Sequence, residues 1–109
     1  MKIELLYFRG CLNYAPARAV LHQAIRLERV AAVVTDVEVQ DEAMAQAIAF
    51  VGSPSIRING ADVEPRSSRI IPSALCCRTY LQSGVSSGTP PLEMIQQALR
   101  HAQGERTRE

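Results

Sequence analysis

The strongest constraint on this chain's fold is a change of hydrophobic period near its start. Met1 to Phe8 reads MKIELLYF, an apolar strand; Arg9-Gly10 breaks it, and Ala15 to Arg29 is an amphipathic run. Within that run Ala17, Val20, Leu21, Ala24 and Ile25 fall at i, i+3, i+4, i+7 and i+8, a single apolar stripe on a helix. Pro16 lies in the first turn, where a missing backbone N–H is tolerated. A strand followed at once by a helix opens an alternating order, and the rest of the chain continues it.

Ala31 to Val39 sets Val33, Thr35, Val37 and Val39 on one face and Asp36 and Glu38 on the other, predicting a half-buried second strand at a sheet edge. Asp41 is placed to cap a short helix running through Ala49. Gly52 and Pro54 punctuate the chain, Ser55 to Ile58 alternates as a third strand, and Asn59-Gly60 turns. Ala61 to Ser73, interrupted by Pro65, Ser67, Ser68 and Pro72, reads as a long loop. Ala74 to Leu81 reads as the fourth strand and Gln82 to Gly88 as a Gly/Ser turn. Thr89 is placed to cap the last helix, Pro90 and Pro91 to fill its first turn, and Leu92, Ile95, Leu99 and Ala102 to form its buried stripe. The order is β-α-β-α-β-β-α: an α/β domain over residues 1–103 with a four-stranded mixed sheet flanked by helices, and a charged, flexible tail at 104–109.

Composition narrows the function classes. A net charge of +1, with arginines dispersed among acids, argues against a nucleic-acid partner. No apolar stretch approaches the roughly 20 residues that span a bilayer, and the N-terminus lacks a signal-peptide apolar region. Three cysteines, an odd count, argue against a disulfide-stapled secreted scaffold. The expectation is a cytoplasmic protein without membrane or nucleic-acid partners and without a cofactor. No Cys-x-x-Cys or His-x-x-x-His spacing marks a metal site.

Cys11 is the residue that carries chemistry. It stands where the first strand gives way to the first helix, and a thiol at a helix N-terminus faces unpaired N–H groups and the positive end of the helix dipole, which favour thiolate. The alternative is a small apolar residue closing the strand. Cys76-Cys77 is a second thiol pair on the predicted fourth strand; adjacent strand residues point to opposite faces, so core packing is the default for at least one of them. His22 and His101 read as surface residues on their helices, Arg57 and Arg78 as partners of acids across the sheet, and Asp62, Glu64 and Arg66 as solvated loop residues.

Gly10-Cys11-Leu12-Asn13-Tyr14 and the segment Gly52-Ser53-Pro54-Ser55-Ile56-Arg57-Ile58-Asn59-Gly60, in this element order, resemble the thioredoxin-like superfamily. The similarity is to small bacterial thioredoxin-like proteins with a Gly-Cys-Pro-Asn-aromatic start and a Gly-Ser-Pro-Thr-Ile-Arg segment. It spans the chain to about His101. The resemblance implies a thioredoxin-like fold, a cis bond before Pro54, Cys11 as nucleophile, and Ser53, Pro54 and Tyr14 lining a groove in which Ser53 backbone groups pair with an extended substrate segment. The implied substrate is a thiol or disulfide, of glutathione or of a protein.

Two departures bear on that implication. Tyr14 stands where the family's dithiol members carry a second cysteine, and Leu12 replaces a frequent proline. The surviving chemistries are monothiol exchange at Cys11, with Cys77 or Cys76 as candidate resolving thiols, and reversible oxidation or soft-metal capture as in a thiol sensor. A non-catalytic module binding a protein partner, or a second copy of the chain in a homo-oligomer, is the rival reading.

Overall fold

In the computed structural model, which describes residues 1–64, 78–82 and 84–107 (side chains of Gln82 and 105–107 excepted), the opening strand β1 (Lys2–Tyr7) lies inside a four-stranded sheet. On one side it pairs in parallel with β2 (Val33–Glu38), from Lys2 opposite Val33 to Tyr7 opposite Glu38. A parallel pair needs a crossover, and α1 (Tyr14–Glu28) supplies it. On its other side β1 runs antiparallel to β3 (Ser55–Ile58), with Leu6 opposite Ser55 and Ile3 opposite Ile58. Asn59-Gly60 then turns the chain back into β4 (Ala61–Asp62); both turn residues have positive φ, 52° and 88°, as a two-residue hairpin loop of the primed type requires. The sheet order is β2-β1-β3-β4.

Alternation along β1 sends side chains to both faces, and both are covered. Ile3 and Leu5 pack with Ala17, Leu21 and Ala24 of α1 and with Ile95, Leu99 and Ala102 of α3 (Leu92–Thr107). Leu6 meets Val39, Ala45 and Phe50 in a smaller cluster on the other face. Glu28 joins α1 to α3 by accepting from Arg100 Nε at 2.8 Å and Gln96 Nε2 at 3.0 Å. Hydrogen bonding to Arg100, opposed by partial burial and reinforced by Gln96, holds the Glu28 carboxyl below its ordinary range.

Several elements differ from the sequence reading. The fourth strand of the sheet is β4 rather than the 74–81 segment, whose residues 74–77 lie outside the described residues. Val63 extends the β4 pairing by donating to the Ile56 carbonyl at 3.0 Å, so the segment expected as a loop begins as paired strand with Val63 buried, and its residues 65–73 lie outside the described residues. The expected turn 82–88 is half of a separate hairpin, β5 (Tyr80–Gln82) against β6 (Val85–Ser87). β2 lies at a sheet edge, but Val33 is 70% exposed and Thr35 is also exposed, because the second helix covers only the far end of the strand. That helix, α2 (Glu42–Ala47), is capped by Asp41, whose Oδ1 accepts from Met44 N–H at 2.8 Å. It stops short of Ala49, which turns left-handed (φ 54°) and drives Phe50 into the core. Pro90 and Pro91 precede α3 rather than filling its first turn, and α3 continues past Gly104 to Thr107. No helix among the described residues is long and apolar enough to cross a membrane.

Candidate functional site

The chain leaves β1 through two consecutive tight turns. Cys11 N–H donates to the Phe8 carbonyl at 3.2 Å, with Gly10 at φ 88° in the third position, where such a turn needs a glycine. Tyr14 N–H then donates to the Cys11 carbonyl at 3.3 Å, and the helical bonds begin with Ala17 N–H on Asn13 at 3.0 Å. Cys11 therefore sits two residues ahead of Asn13, the N-cap, rather than in the first helical turn. It is a free, half-buried cysteine, and its neighbour Leu12 is 91% exposed. Cys76 and Cys77, the candidate resolving thiols, lie outside the described residues.

Ser53 and Pro54 reach the same place from β3. The Ser53-Pro54 bond is cis, and Ser53 Oγ accepts from Phe8 N–H at 3.3 Å. Phe8 thus holds Ser53 through its N–H and Cys11 through its carbonyl. The loop is closed to solvent: Ser53 and Ser55 are 0% exposed and Pro54 is fully buried. The Ser53 carbonyl, implied by the resemblance to meet substrate, accepts from Arg78 N–H at 2.9 Å. Gly52 has φ 123°, and a Cβ there would stand 2.8 Å from Arg78 Cβ, so both backbone conformation and close approach demand glycine.

Tyr14 turns toward β2. Its ring stacks on Tyr7, centroids 4.2 Å apart, and its hydroxyl donates to Asp36 Oδ2. That hydrogen bond, with some burial and the Asp36 charge, pushes the Tyr14 hydroxyl above its ordinary value. Arg18 approaches the same carboxylate at 3.5 Å.

The most elaborate polar cluster lies behind the proline loop and was not legible in the sequence. Arg78 holds Asp62 in a two-pronged pair, Nη1 to Oδ2 at 2.7 Å and Nη2 to Oδ1 at 2.8 Å. The same guanidinium donates to Ser55 Oγ at 2.9 Å and Glu64 Oε1 at 3.2 Å, and lies 4.2 Å from the Tyr80 ring centre. Tyr80 donates to the Pro54 carbonyl, Ser55 Oγ to the Gly52 carbonyl at 2.5 Å, and Leu81 N–H to Glu64 Oε2 at 3.3 Å. Burial opposes the Arg78 charge, but hydrogen bonds to Asp62 and Glu64 and the neighbouring acidic groups outweigh it and raise its pKa. Burial, with Asp62 and Glu64 adding and Arg78 opposing, pushes the Tyr80 hydroxyl well above its ordinary value.

Arg78 pairs with acids, but from outside any strand and with Asp62 and Glu64, which the sequence reads as solvated loop residues and which are instead half-buried and buried; Arg66 lies outside the described residues. Arg57 instead donates to the Ile48 and Ala49 carbonyls at 2.8 and 3.1 Å, closing the end of α2. His22 is half-buried, its Nε2 shielded without a hydrogen-bond partner among the described residues. His101 is exposed and lines a cavity of about 690 Å³ with Ile58, Val63, Met94 and Ala98, at the end of the sheet opposite Cys11. Among the described residues no group of three His, Cys, Asp or Glu side chains is arranged to hold a metal ion.

Fold and site together define a mixed α/β protein with, among the described residues, a four-stranded mixed sheet, three helices, and a half-buried cysteine joined through Phe8 to a buried cis-proline loop. No family model, curated protein or solved structure matches the chain.

Proposed function

We propose that this chain is a thioredoxin-like monothiol protein in which Cys11 exchanges with disulfides, as an oxidoreductase or a redox sensor. The observation that carries the reading is the convergence on Phe8: the backbone of one residue, through its N–H and its carbonyl, holds the Ser53–cis-Pro54 loop and the Cys11 turn together at the C-terminal end of the central strand. The strand order β2-β1-β3-β4, with the thiol after β1 and the proline before β3, supports it further. In the exchange, Cys11 thiolate attacks one sulfur of a disulfide. A new Sγ–S bond forms, the old S–S bond breaks, and the leaving thiolate takes a proton from water; an external thiol then releases Cys11. The reducing cytoplasm is the compartment in which a lone thiol stays available for this cycle.

The second reading is a module that docks a protein partner without chemistry, in which Leu12, 91% exposed beside the turn, would be one contact of a larger apolar patch. Alkylation kinetics separate the two. Under the first reading Cys11 in the folded protein reacts faster at neutral pH than Cys11 in the chain unfolded by guanidinium, and Cys11→Ser abolishes the fast phase. Slow labelling unaltered by Cys11→Ser makes Cys11 a packing residue and leaves the binding module.

A further inference from the structure

Resting on the thiol–disulfide reading above, we infer that Cys11 acts on low-molecular-weight disulfides and not on disulfides within extended polypeptide. The chain's own Arg78 closes the edge such a polypeptide would use. An extended peptide docks on a sheet edge through main-chain hydrogen bonds. At the Ser53–Pro54 loop the main-chain acceptor such a peptide would use, the Ser53 carbonyl, is already filled, and the Ser53 side chain is tied down as well. Phe8 N–H lies on Ser53 Oγ, and Arg78 N–H lies on the Ser53 carbonyl. The Arg78 backbone is so close to Gly52 that a Cβ there would meet Arg78 Cα at 3.3 Å.

Arg78 is also held in place. Its guanidinium is bound by Asp62, Glu64 and Ser55 and rests over the Tyr80 ring, and its side chain is 2% exposed. Moving it aside leaves buried carboxylates without their cation, which strongly opposes opening. Cys11, by contrast, is only half-buried and stands beside the exposed Leu12, and a small disulfide needs no main-chain pairing with Ser53. Attack on such a substrate forms the Cys11–substrate S–S bond, breaks the original S–S bond, and releases the second half as a thiol after protonation by water.

The test uses one leaving group on two carriers. A 2-thiopyridyl mixed disulfide is placed on N- and C-capped cysteine and on a cysteine in the middle of an extended peptide. Release of pyridine-2-thione gives the rate. Tryptic mapping assigns the adduct to residues 10–18, which hold Cys11, or to residues 70–78, which hold Cys76 and Cys77. Two main-chain hydrogen bonds would speed the peptide about tenfold. The inference predicts no such gain: peptide and capped cysteine react with Cys11 at rates within about twofold, a difference smaller than one net hydrogen bond supplies. In Asp62→Asn, and in Arg78→Ala if it folds, loosening Arg78 lets the peptide pull ahead. A peptide at least about tenfold faster on the parent protein overturns the inference but leaves the thiol chemistry standing. If neither carrier reacts faster with folded protein than with the guanidinium-unfolded chain, the thiol reading falls and the inference with it.

Discussion

Replacing Arg78 with methionine probes the cluster that holds the proline loop. The substitution keeps an unbranched side chain of comparable reach but removes the cation. Asp62 and Glu64, with side chains 9% and 3% exposed, then keep their burial and lose the guanidinium that both share. Breaking a buried pair by removing one partner costs about 3–5 kcal/mol, because the remaining charge is uncompensated. At about 4 °C per kcal/mol for a domain of this size, the melting temperature falls by roughly 12–20 °C. Urea unfolding followed by far-UV circular dichroism measures the loss, and an unchanged denaturant slope confirms that native compactness is retained. Asp62→Asn in the Arg78→Met background relieves one of the two stranded charges. The double variant is therefore more stable than the two single losses sum to, by about 1 kcal/mol or more. An Arg78→Met protein within about 0.5 kcal/mol of the parent refutes the reasoning, since that is the effect of a solvent-screened surface pair.

Two further outcomes follow from the same loop. Gly52→Ala puts a Cβ 2.8 Å from Arg78 Cβ at φ 123°, and is expected to cost about 3 kcal/mol or more; a loss below about 1 kcal/mol in urea unfolding contradicts the close approach. Tyr80 stays protonated in the folded state above its ordinary value of 10.0. Its contribution to stability is thus complete below that pH and is lost as pH rises beyond it, when only the unfolded chain ionises. Absorbance at the phenolate band is expected to show one tyrosine ionising together with alkaline unfolding, and Tyr80→Phe to remove that component; free titration of Tyr80 before unfolding contradicts its burial.

The parts of the fold legible in the sequence are those long enough to show a period. The stripe Ala17, Leu21, Ala24 is the buried face of α1, Ile95, Leu99 and Ala102 that of α3, and Ser55 to Ile58 with Asn59-Gly60 forms the third strand and its turn. β4 has two residues, too few for any period, and Val85-Ser86-Ser87 carries one apolar side chain, so each was hidden in what reads as loop. The early end of α2 follows from the burial of Phe50, a tertiary demand that overrides the good helix formers before it. Cys11 and Ser53 could be singled out by position. That Phe8 binds both, and that two turns keep Cys11 ahead of the helix cap, depends on hydrogen bonds that no local pattern records. Within the cluster Arg78 binds Glu64, Asp62 and Ser55, residues 14 to 23 positions away. Its faint signal is the alternation of Asp62 and Glu64 around Val63, which sets two acids on one face of an extended strand.

The most direct test of the account is whether folded protein takes up glutathione at Cys11. Incubation with glutathione disulfide at neutral pH, followed by intact-mass and tryptic analysis, reads it. Thiol exchange predicts one glutathione on residues 10–18, formed faster than in the unfolded chain, cleared by added reductant and absent in Cys11→Ser. A folded chain that stays unmodified at Cys11, while its unfolded form is modified readily, contradicts thiol chemistry and makes Cys11 part of the packing that closes β1.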